Sequence, residues 1–277
     1  MCGNRILIGL GKSAAVALIL AWSLFPIAFV VLSSFKPGRD IFAVPPRFLF
    51  DPTVQHYLAL ATTWGGFFQG LYNSLIVTAG ATVLAVTVSV MAGYIYSRHR
   101  GALMTGSVVF LIVVRLIPPI VVTLPLFPIL NWLRLNDTHA ALILLYATFF
   151  VSLGTLLMRT FIDQVPRELD EAALIDGAGR VKILTGVIVP LVAPGMLAVA
   201  VFVVVYAWNE FLFAFIFTAT KAKTAPLVIS EMIGSIDGVD WGVLFAASTV
   251  QLVPVLVFVA LMHRYLIAGL TAGATKG

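Results

Sequence analysis

Long uncharged stretches constrain this chain more than any other feature of its sequence. About six apolar runs approach or exceed the ~20 residues that a helix needs to cross a bilayer. They lie at about residues 13–34, 71–97, 105–130, 140–158, 190–217 and 243–262. Because lipid offers no hydrogen-bond partners to the backbone, each run is predicted to be a helix. The sequence therefore predicts an all-α integral membrane protein with six transmembrane helices.

The residue inventory agrees with this class. Apolar residues make up 61% of the 277 residues and charged residues 10%, whereas soluble domains carry about 45–50% and about 25%. One soluble core cannot bury this much apolar surface, so part of it is expected to face lipid. We expect residues 1–277 to form a single transmembrane domain, with a core bundle over about 71–264.

The basic residues predict the orientation in the membrane. The tight loop at 98–100 and the segment around Arg180 place Arg and Lys beside predicted spans, which favours the cytoplasmic side for both. With six spans, both termini are then cytoplasmic. The first run is longer than the 7–15-residue apolar region of a signal peptide and lacks a clear cleavage site, so we expect it to be retained.

Several functions find no support in the sequence. The basic residues form no continuous face, which argues against nucleic-acid binding. The chain has no phosphate-binding Gly-x-x-x-x-Gly-Lys-Ser/Thr loop, so we do not expect it to hydrolyse ATP itself. The single cysteine, Cys2, and four scattered histidines show no metal-ligand spacing. We expect no catalytic residue, cofactor or metal in this chain.

The most informative segment lies between the fourth and fifth apolar runs. Pro166 suits the first turn of a helix, and Glu168, Asp170 and Glu171 complement the positive end of a helix dipole. Gly177 suits a left-handed C-terminal cap. The pattern predicts a short cytoplasmic helix of about three turns.

Two properties of this helix suggest a mechanical role. Leu169, Ala172 and Ala173 share one face, and the two alanines let another protein approach that face closely. An amphipathic stretch over 180–189 then leads into the fifth apolar run. We therefore expect that displacing the short helix moves a membrane helix, within a coupling loop over 159–189.

The same segment carries a recognisable order of short motifs. They are Glu171-Ala172-Ala173, Asp176-Gly177-Ala178, Ile188-Val189-Pro190-Leu191 and Pro194-Gly195. This order resembles the EAA loop of the permeases of type I ATP-binding-cassette importers. The resemblance implies a MetI-like bundle whose coupling helix sits in a groove of a separate ATP-hydrolysing subunit. The docking residues it implies are Glu171, Ala172, Ala173, Asp176 and Gly177.

Two further segments resemble the maltose-type sugar permeases, and within that group the second permease, the G subunit. They are Trp208-Asn209-Glu210-Phe211-Leu212-Phe213-Ala214 and the tail at 269–277. The resemblance implies a bacterial inner-membrane carbohydrate importer with a second permease, two ATPase subunits that bind ATP and Mg, and an extracytoplasmic sugar-binding protein. It also implies that the loop at 218–242 contacts the binding protein and that the tail touches the ATPases.

Four residues are candidates for the translocation path: Arg115, Trp208, Asn209 and Glu210. A charge near the bilayer centre costs ~2.5–3.5 kcal/mol, so such residues usually face a bundle interior or a wet cavity. Glu210 either lines the path or makes a structural hydrogen bond between helices. Arg115 either pairs with Glu210, lines the path or reaches the interface. The prolines between 118 and 128 predict a kink, as a fixed bend or as a gate.

Two other functions stay open on the sequence alone. The same fold serves importers of other solutes, such as polyamines or phosphate. A secondary transporter driven by an ion gradient belongs to a different class and predicts inverted repeats with broken spans at matching positions. The sequence shows no such repeat.

Overall fold

The computed structural model describes residues 2–236 and 238–272, and the side chains of 12–236 and 238–262. All regular structure in these ranges is helical. In chain order the helices are α1 Cys2–Ser33, α2 Gly38–Ile41, α3 Gln55–Thr63, α4 Gly66–Arg98, α5 Ala102–Val114, α6 Pro119–Trp132, α7 His139–Ile162, α8 Glu168–Ile175, α9 Arg180–Ile183, α10 Val189–Leu191, α11 Ala193–Trp208, α12 Leu212–Phe217, α13 Ala225–Ile233 and α14 Trp241–Ala272. A π-helical turn, Leu184–Ile188, joins α9 to α10.

The described helices include four that are long and apolar enough to cross a membrane alone. They are Lys12–Ser33 within α1, α4, α7 and Trp241–Met262 within α14. Two bent pairs raise the number to six if each pair makes one crossing. The prediction of an all-helical membrane protein is confirmed, with four to six candidate spans.

The third and fifth predicted spans are not single helices, which corrects their description as continuous runs. The third divides into α5 and α6, which meet at 98°, because Pro118 and Pro119 end one helix and begin the next. The fifth divides at Val192, where the chain bends by 79° before α11. It divides again between Trp208 and Leu212.

Two connecting segments contain helices that the sequence analysis did not predict. The aromatic loop after the first span includes α2 and α3. The loop at 218–242 includes α13, so it is more than a simple connector. The tail at 269–277 lies mostly outside the described residues, and its predicted contact with the ATPases stays a prediction.

The chain divides into two compact units, which we describe separately. The first joins Met1–Phe68 to Ile229–Val253, and the second joins Gln69–Val228 to Pro254–Gly277. The single domain over 1–277, with its core bundle over 71–264, stays a prediction.

The core of the second unit is built around α7, whose buried residues contact α4 and α11. Glycines allow the close approach. Gly154 lies against Ser89 of α4 and Val199 of α11, and Gly93 of α4 lies against the backbone of Met158. A side chain at either glycine would collide with its neighbour, as in other membrane bundles that pack through small residues.

The first unit surrounds the end of α1. The Ser34 hydroxyl lies 2.7 Å from that of Tyr57 on α3, and the Thr53 N–H donates to the Phe35 carbonyl. Gly242, at the start of α14, packs directly on the imidazole ring of His56. The side chains of α1 that the structure describes, over residues 12–33, are largely exposed in this chain, which fits a helix that faces lipid or another subunit.

Candidate functional site: a short helix tied to the ends of two spans

The short helix α8 forms where the sequence predicts it, over eight residues. Gly177 has φ +80°, and its N–H donates to the Leu174 carbonyl while the Ala178 N–H donates to that of Ala173. This is the predicted glycine cap. Pro166 lies before the N-cap residue Arg167, so it precedes the helix instead of forming its first turn.

The predicted docking residues lie mostly on the open side of α8. Glu171, Ala172, Asp176 and Gly177 are exposed. Ala173 is half-buried and packs against the core, so the face of Ala172 and Ala173 is only partly open. The apolar side chain of Ile175 is 88% exposed beside them. The open surface therefore combines two acids, small residues and an unpartnered isoleucine.

Asp170 is the residue that anchors α8, and the sequence analysis missed this role. It is only 8% exposed. Its carboxylate accepts two hydrogen bonds from Arg98, at 2.8 Å from Nε and 3.2 Å from Nη2. The Tyr94 hydroxyl donates a third, at 3.0 Å. Such a bidentate, charge-assisted pair fixes orientation as well as distance.

The Arg98 guanidinium extends this connection to the end of α7. It donates to the carbonyls of Ile162, at 3.4 Å, and Val165, at 3.2 Å. Arg167, just before α8, returns a bond of 2.8 Å to the Ser97 carbonyl. The beginning of α8 is thus tied to the ends of α4 and α7.

A sequence signal for this anchor did exist. Asp170 and Ala173 are three residues apart and both face inward, so one acid stands on the buried side of an amphipathic helix. A buried carboxylate needs a cationic partner, and the basic loop that begins at Arg98 is a nearby source at the same predicted membrane surface. Only the fold shows that the two meet.

A short connection over residues 176–179 leads from α8 to α9 and on toward the membrane helix α11. α8 contacts α9, and the π-helical turn then carries the backbone into α10. Ile183 and Ile188 are buried there, and the Val189 N–H donates to the Leu184 carbonyl five residues earlier. π-turns inside helices often mark functional positions.

Glu210 lies in the break between α11 and α12, not within a continuous span. Its carboxylate accepts hydrogen bonds from the N–H groups of Phe213, at 2.9 Å, and Ala214, at 3.4 Å. It therefore satisfies the first free N–H groups of α12. Asn209 turns back to the Val205 carbonyl, at 2.7 Å. Both residues line a 380 Å³ cavity with aromatic walls, whereas Trp208 is buried in the core.

Arg115 lies in the break between α5 and α6, at the C-terminal cap of α5. Its guanidinium lies 5.7 Å from the centre of the Phe149 ring, a cation–π distance. It lines a second, apolar cavity of 610 Å³. Among the described residues Arg115 and Glu210 form no ion pair, so of the three alternatives for Arg115 the structure does not show the pairing. Pro119, Phe149 and Phe213 line both cavities, which makes the two cavities neighbours.

A match to a known protein family covers most of this chain. Residues 85–271 match the family described as "Binding-protein-dependent transport system inner membrane component". The chain belongs to this family. It is therefore a multi-pass membrane subunit of a transport system, as the sequence resemblance predicted.

Several curated relatives of this permease cover nearly all of its length. A probable ABC transporter permease of Sinorhizobium fredii is 38% identical over 91% of this chain and 90% of its own. The trehalose/maltose permease MalG of Thermococcus litoralis is 33% identical over 92% of both chains. The trehalose permease SugB of Mycobacterium tuberculosis is 34% identical over 94% of this chain and 95% of its own.

The fold agrees with a solved importer. A chain of a bacterial ABC transporter that imports the acidic polysaccharide alginate superposes with a TM-score of 0.78, over 95% of this permease and 97% of that chain, at 18% identity. This likeness supports the predicted MetI-like bundle.

At its other end the second unit carries a feature without any predicted role. The Asp137 carboxylate accepts hydrogen bonds from the N–H groups of Ala219, Thr220, Lys221 and Ala222, at 3.0–3.2 Å. Burial disfavours the charged form, but these donors and the Thr220 hydroxyl outweigh it and hold the pKa of Asp137 well below its usual range. The carboxylate thereby fixes the backbone of the loop that follows α12.

Proposed function

We propose that this permease is one half of the translocation path of an ATP-driven, binding-protein-dependent carbohydrate importer. Relatives that match nearly the whole chain are described as permeases for trehalose, maltose and diacetylchitobiose. The observation that carries the proposal is α8, an exposed short helix that is anchored by a buried ion pair and connected to the membrane helix α11 through α9, the π-helical turn and α10.

The family match and the exposed surface of α8 support the following partners. A separate pair of ATPase subunits binds ATP and Mg²⁺ and grips α8 through Glu171, Ala172, Ala173, Asp176 and Gly177. A second permease completes the path, and a binding protein delivers the sugar from outside. The permease sits in a bacterial inner membrane with both termini in the cytoplasm, so α8 faces the ATPases.

The anchor suggests how movement reaches the membrane. A push on α8 is shared at once with α4 and α7, because Arg98 bonds to Asp170 and to the carbonyls of Ile162 and Val165. The same push passes along the chain through the π-helical turn into α11. The transport cycle then alternates between an inward-facing and an outward-facing arrangement of one bundle. The ATPases, acting on α8 at a distance from the path, shift the balance between these two states.

The path itself is proposed to run past the two helix breaks. Asn209 and Glu210 line one cavity and Arg115 its neighbour, where a sugar would meet aromatic walls and a few polar groups. Trp208 is buried beneath this surface, so its expected role is to support the break and not to contact the sugar.

Uptake by the reconstituted complex tests the proposal. The permease, its partner permease, the ATPases and the binding protein are placed in liposomes with ATP inside, and labelled trehalose, maltose, spermidine and phosphate are offered outside. We expect ATP-dependent uptake of a sugar and none of spermidine or phosphate. Uptake of spermidine or phosphate alone would favour a same-fold importer of another solute. ATP-free uptake by the purified chain would favour an ion-driven carrier.

A further inference from the structure

The first unit contains a groove of about 560 Å³ that the proposed function does not use. The loop after the first span and the segment around the start of α14 form its walls. We call it the aromatic groove and define it by its aromatic and polar lining residues: Phe42, Thr63, Trp64, Ser235, Asp240 and Trp241. Its volume falls within the ~300–1,000 Å³ that is usual for small-molecule sites.

The side chains of Asp240 and His56 hold the backbone around the groove in place. Asp240 Oδ1 accepts hydrogen bonds from the N–H groups of Gly242, at 3.0 Å, and Val243, at 3.1 Å, which caps the first turn of α14. His56 packs on Gly242 from the other side and bonds through Nε2 to the Lys36 carbonyl, at 2.8 Å. Trp241 lies between Asp240 and Gly242 in the chain, so the hydrogen-bonded backbone on either side fixes its position.

The groove combines exposed aromatic rings with buried apolar side chains. The rings of Phe42 and Trp241 meet edge to face at 5.3 Å, yet they remain 59% and 43% exposed. Two apolar lining residues are buried, Met232 at 4% exposure and Val243 at 3%. A ligand that enters would rest on these side chains and leave its polar groups toward the rim.

The rim provides hydrogen-bonding groups in the same space. The hydroxyls of Thr63 and Ser235 and the carboxylate of Asp240 belong to residues that line the groove together with Trp64 and Trp241. A pyranose ring has an apolar C–H face and an edge of hydroxyls, so it needs both kinds of surface at once. A lipid chain would use only the apolar part. Tryptophans that only anchor a protein at the membrane surface would not need to share a cavity with polar side chains.

We infer that the aromatic groove is a binding site for a pyranose ring of the transported carbohydrate. The inference rests on the proposed function and its orientation, in which the start of α14 faces outside. In that orientation the groove would hold sugar on the external side of the membrane. The expected contacts are stacking on Trp64 and Trp241 and hydrogen bonds to Ser235 and Asp240.

The test measures sugar uptake by the full reconstituted complex as a function of the concentration of binding protein loaded with trehalose or maltose, because the half-saturating concentration of free sugar would report the binding protein's own affinity. Trp64→Ala should raise the half-saturating concentration about threefold to tenfold, the range of one lost aromatic contact. The maximal rate and the ATPase rate at saturating sugar should stay near those of the wild type. Trp64→Phe, which keeps a ring, should recover most of the affinity.

Trp132→Ala is the matched control, because Trp132 is 82% exposed on α6 and does not line the groove. Should Trp64→Ala and Trp132→Ala give the same half-saturating concentration, the inference is overturned while the proposed function stands. The same holds if Trp64→Ala lowers only the maximal rate and Trp64→Phe does not restore it. A wild-type complex that takes up neither sugar would contradict the proposed function as well.

Discussion

The Asp137 carboxylate holds the backbone of a whole loop in place. Asp137 has a positive φ of 58°, and its oxygens gather four consecutive N–H groups of the 219–222 backbone. Beside it, Asn73 donates to the carbonyls of Lys221 and Lys223. The loop after α12 is therefore held from both its N–H and its C=O groups.

Replacing Asp137 by Asn should loosen this loop. The amide keeps one acceptor oxygen but turns an N–H₂ group toward backbone donors, so part of the N–H set loses its partner. Hydrogen exchange followed by mass spectrometry should show faster exchange at 219–222 and little change in α7. Asp163→Asn is the control, since Asp163 makes only an exposed ion pair with Arg159, at 3.6 Å. Equal exchange in both variants would contradict the account.

The same carboxylate gives a prediction about pH. Because the folded pKa is lowered, its stabilising contribution is present above the ordinary Asp value of about 3.9 and is lost only as pH falls through the lower, folded value. The 219–222 loop should thus stay protected between pH 7 and pH 4, after correction for the intrinsic exchange rate. Loss of protection near pH 5 would show that the carboxylate is not held as described.

Among the helices, the breaks show where sequence reasoning succeeds and where it ends. Pro118 and Pro119 predict a kink, because proline cannot continue a helix. The angle of 98° between α5 and α6 depends on how the surrounding residues pack, and the local sequence does not determine it. Glu210 looked like a charge within a span, since hydropathy cannot reveal that the backbone opens there and leaves N–H groups for the carboxylate to accept.

The helix α8 shows the same division. Its acidic first turn and its glycine cap at Gly177 follow from local chemistry, whereas Pro166 precedes the helix instead of forming the predicted first turn. The Arg98–Asp170 pair joins residues 72 apart, and no periodic pattern specifies such a pair. Local secondary-structure propensity does not determine tertiary contacts of this kind.

Breaking that pair should cost more than breaking an exposed one. Arg98→Ala leaves the Asp170 carboxylate buried with Tyr94 as its remaining side-chain donor, and the loss of one partner of a buried pair costs about 3 kcal/mol. We expect a lower unfolding temperature in detergent and weaker coupling of ATP hydrolysis to uptake. The double variant Arg98→Gln with Asp170→Asn should recover part of both, because neither charge remains.

Arg159→Ala serves as the control for this pair. Its partner Asp163 is exposed and one turn away, and such pairs contribute about 0.3–0.5 kcal/mol. If Arg98→Ala is no more harmful than Arg159→Ala in both measurements, Asp170 does not anchor α8 as described.

The whole molecule has large apolar surfaces left open in a single chain. α5 and α6 are exposed along much of their length, as is α1. In the complex proposed above, lipid and a second permease would cover such faces. Under the proposed function, the chain is one component of a larger complex, in which α8 would contact the ATPase subunits outside the membrane.

Cross-linking from α8 tests this central claim most directly. The chain has one cysteine, Cys2, so Cys2→Ser provides a background in which Ala172→Cys is the only thiol. Ala61→Cys on α3, also exposed, is the matched control at the predicted external end. We predict that a short thiol cross-linker joins position 172, and not position 61, to the ATPase subunit of the assembled complex. An Ala172→Cys variant that is labelled only from outside the membrane, or that never captures the ATPase, would contradict the account.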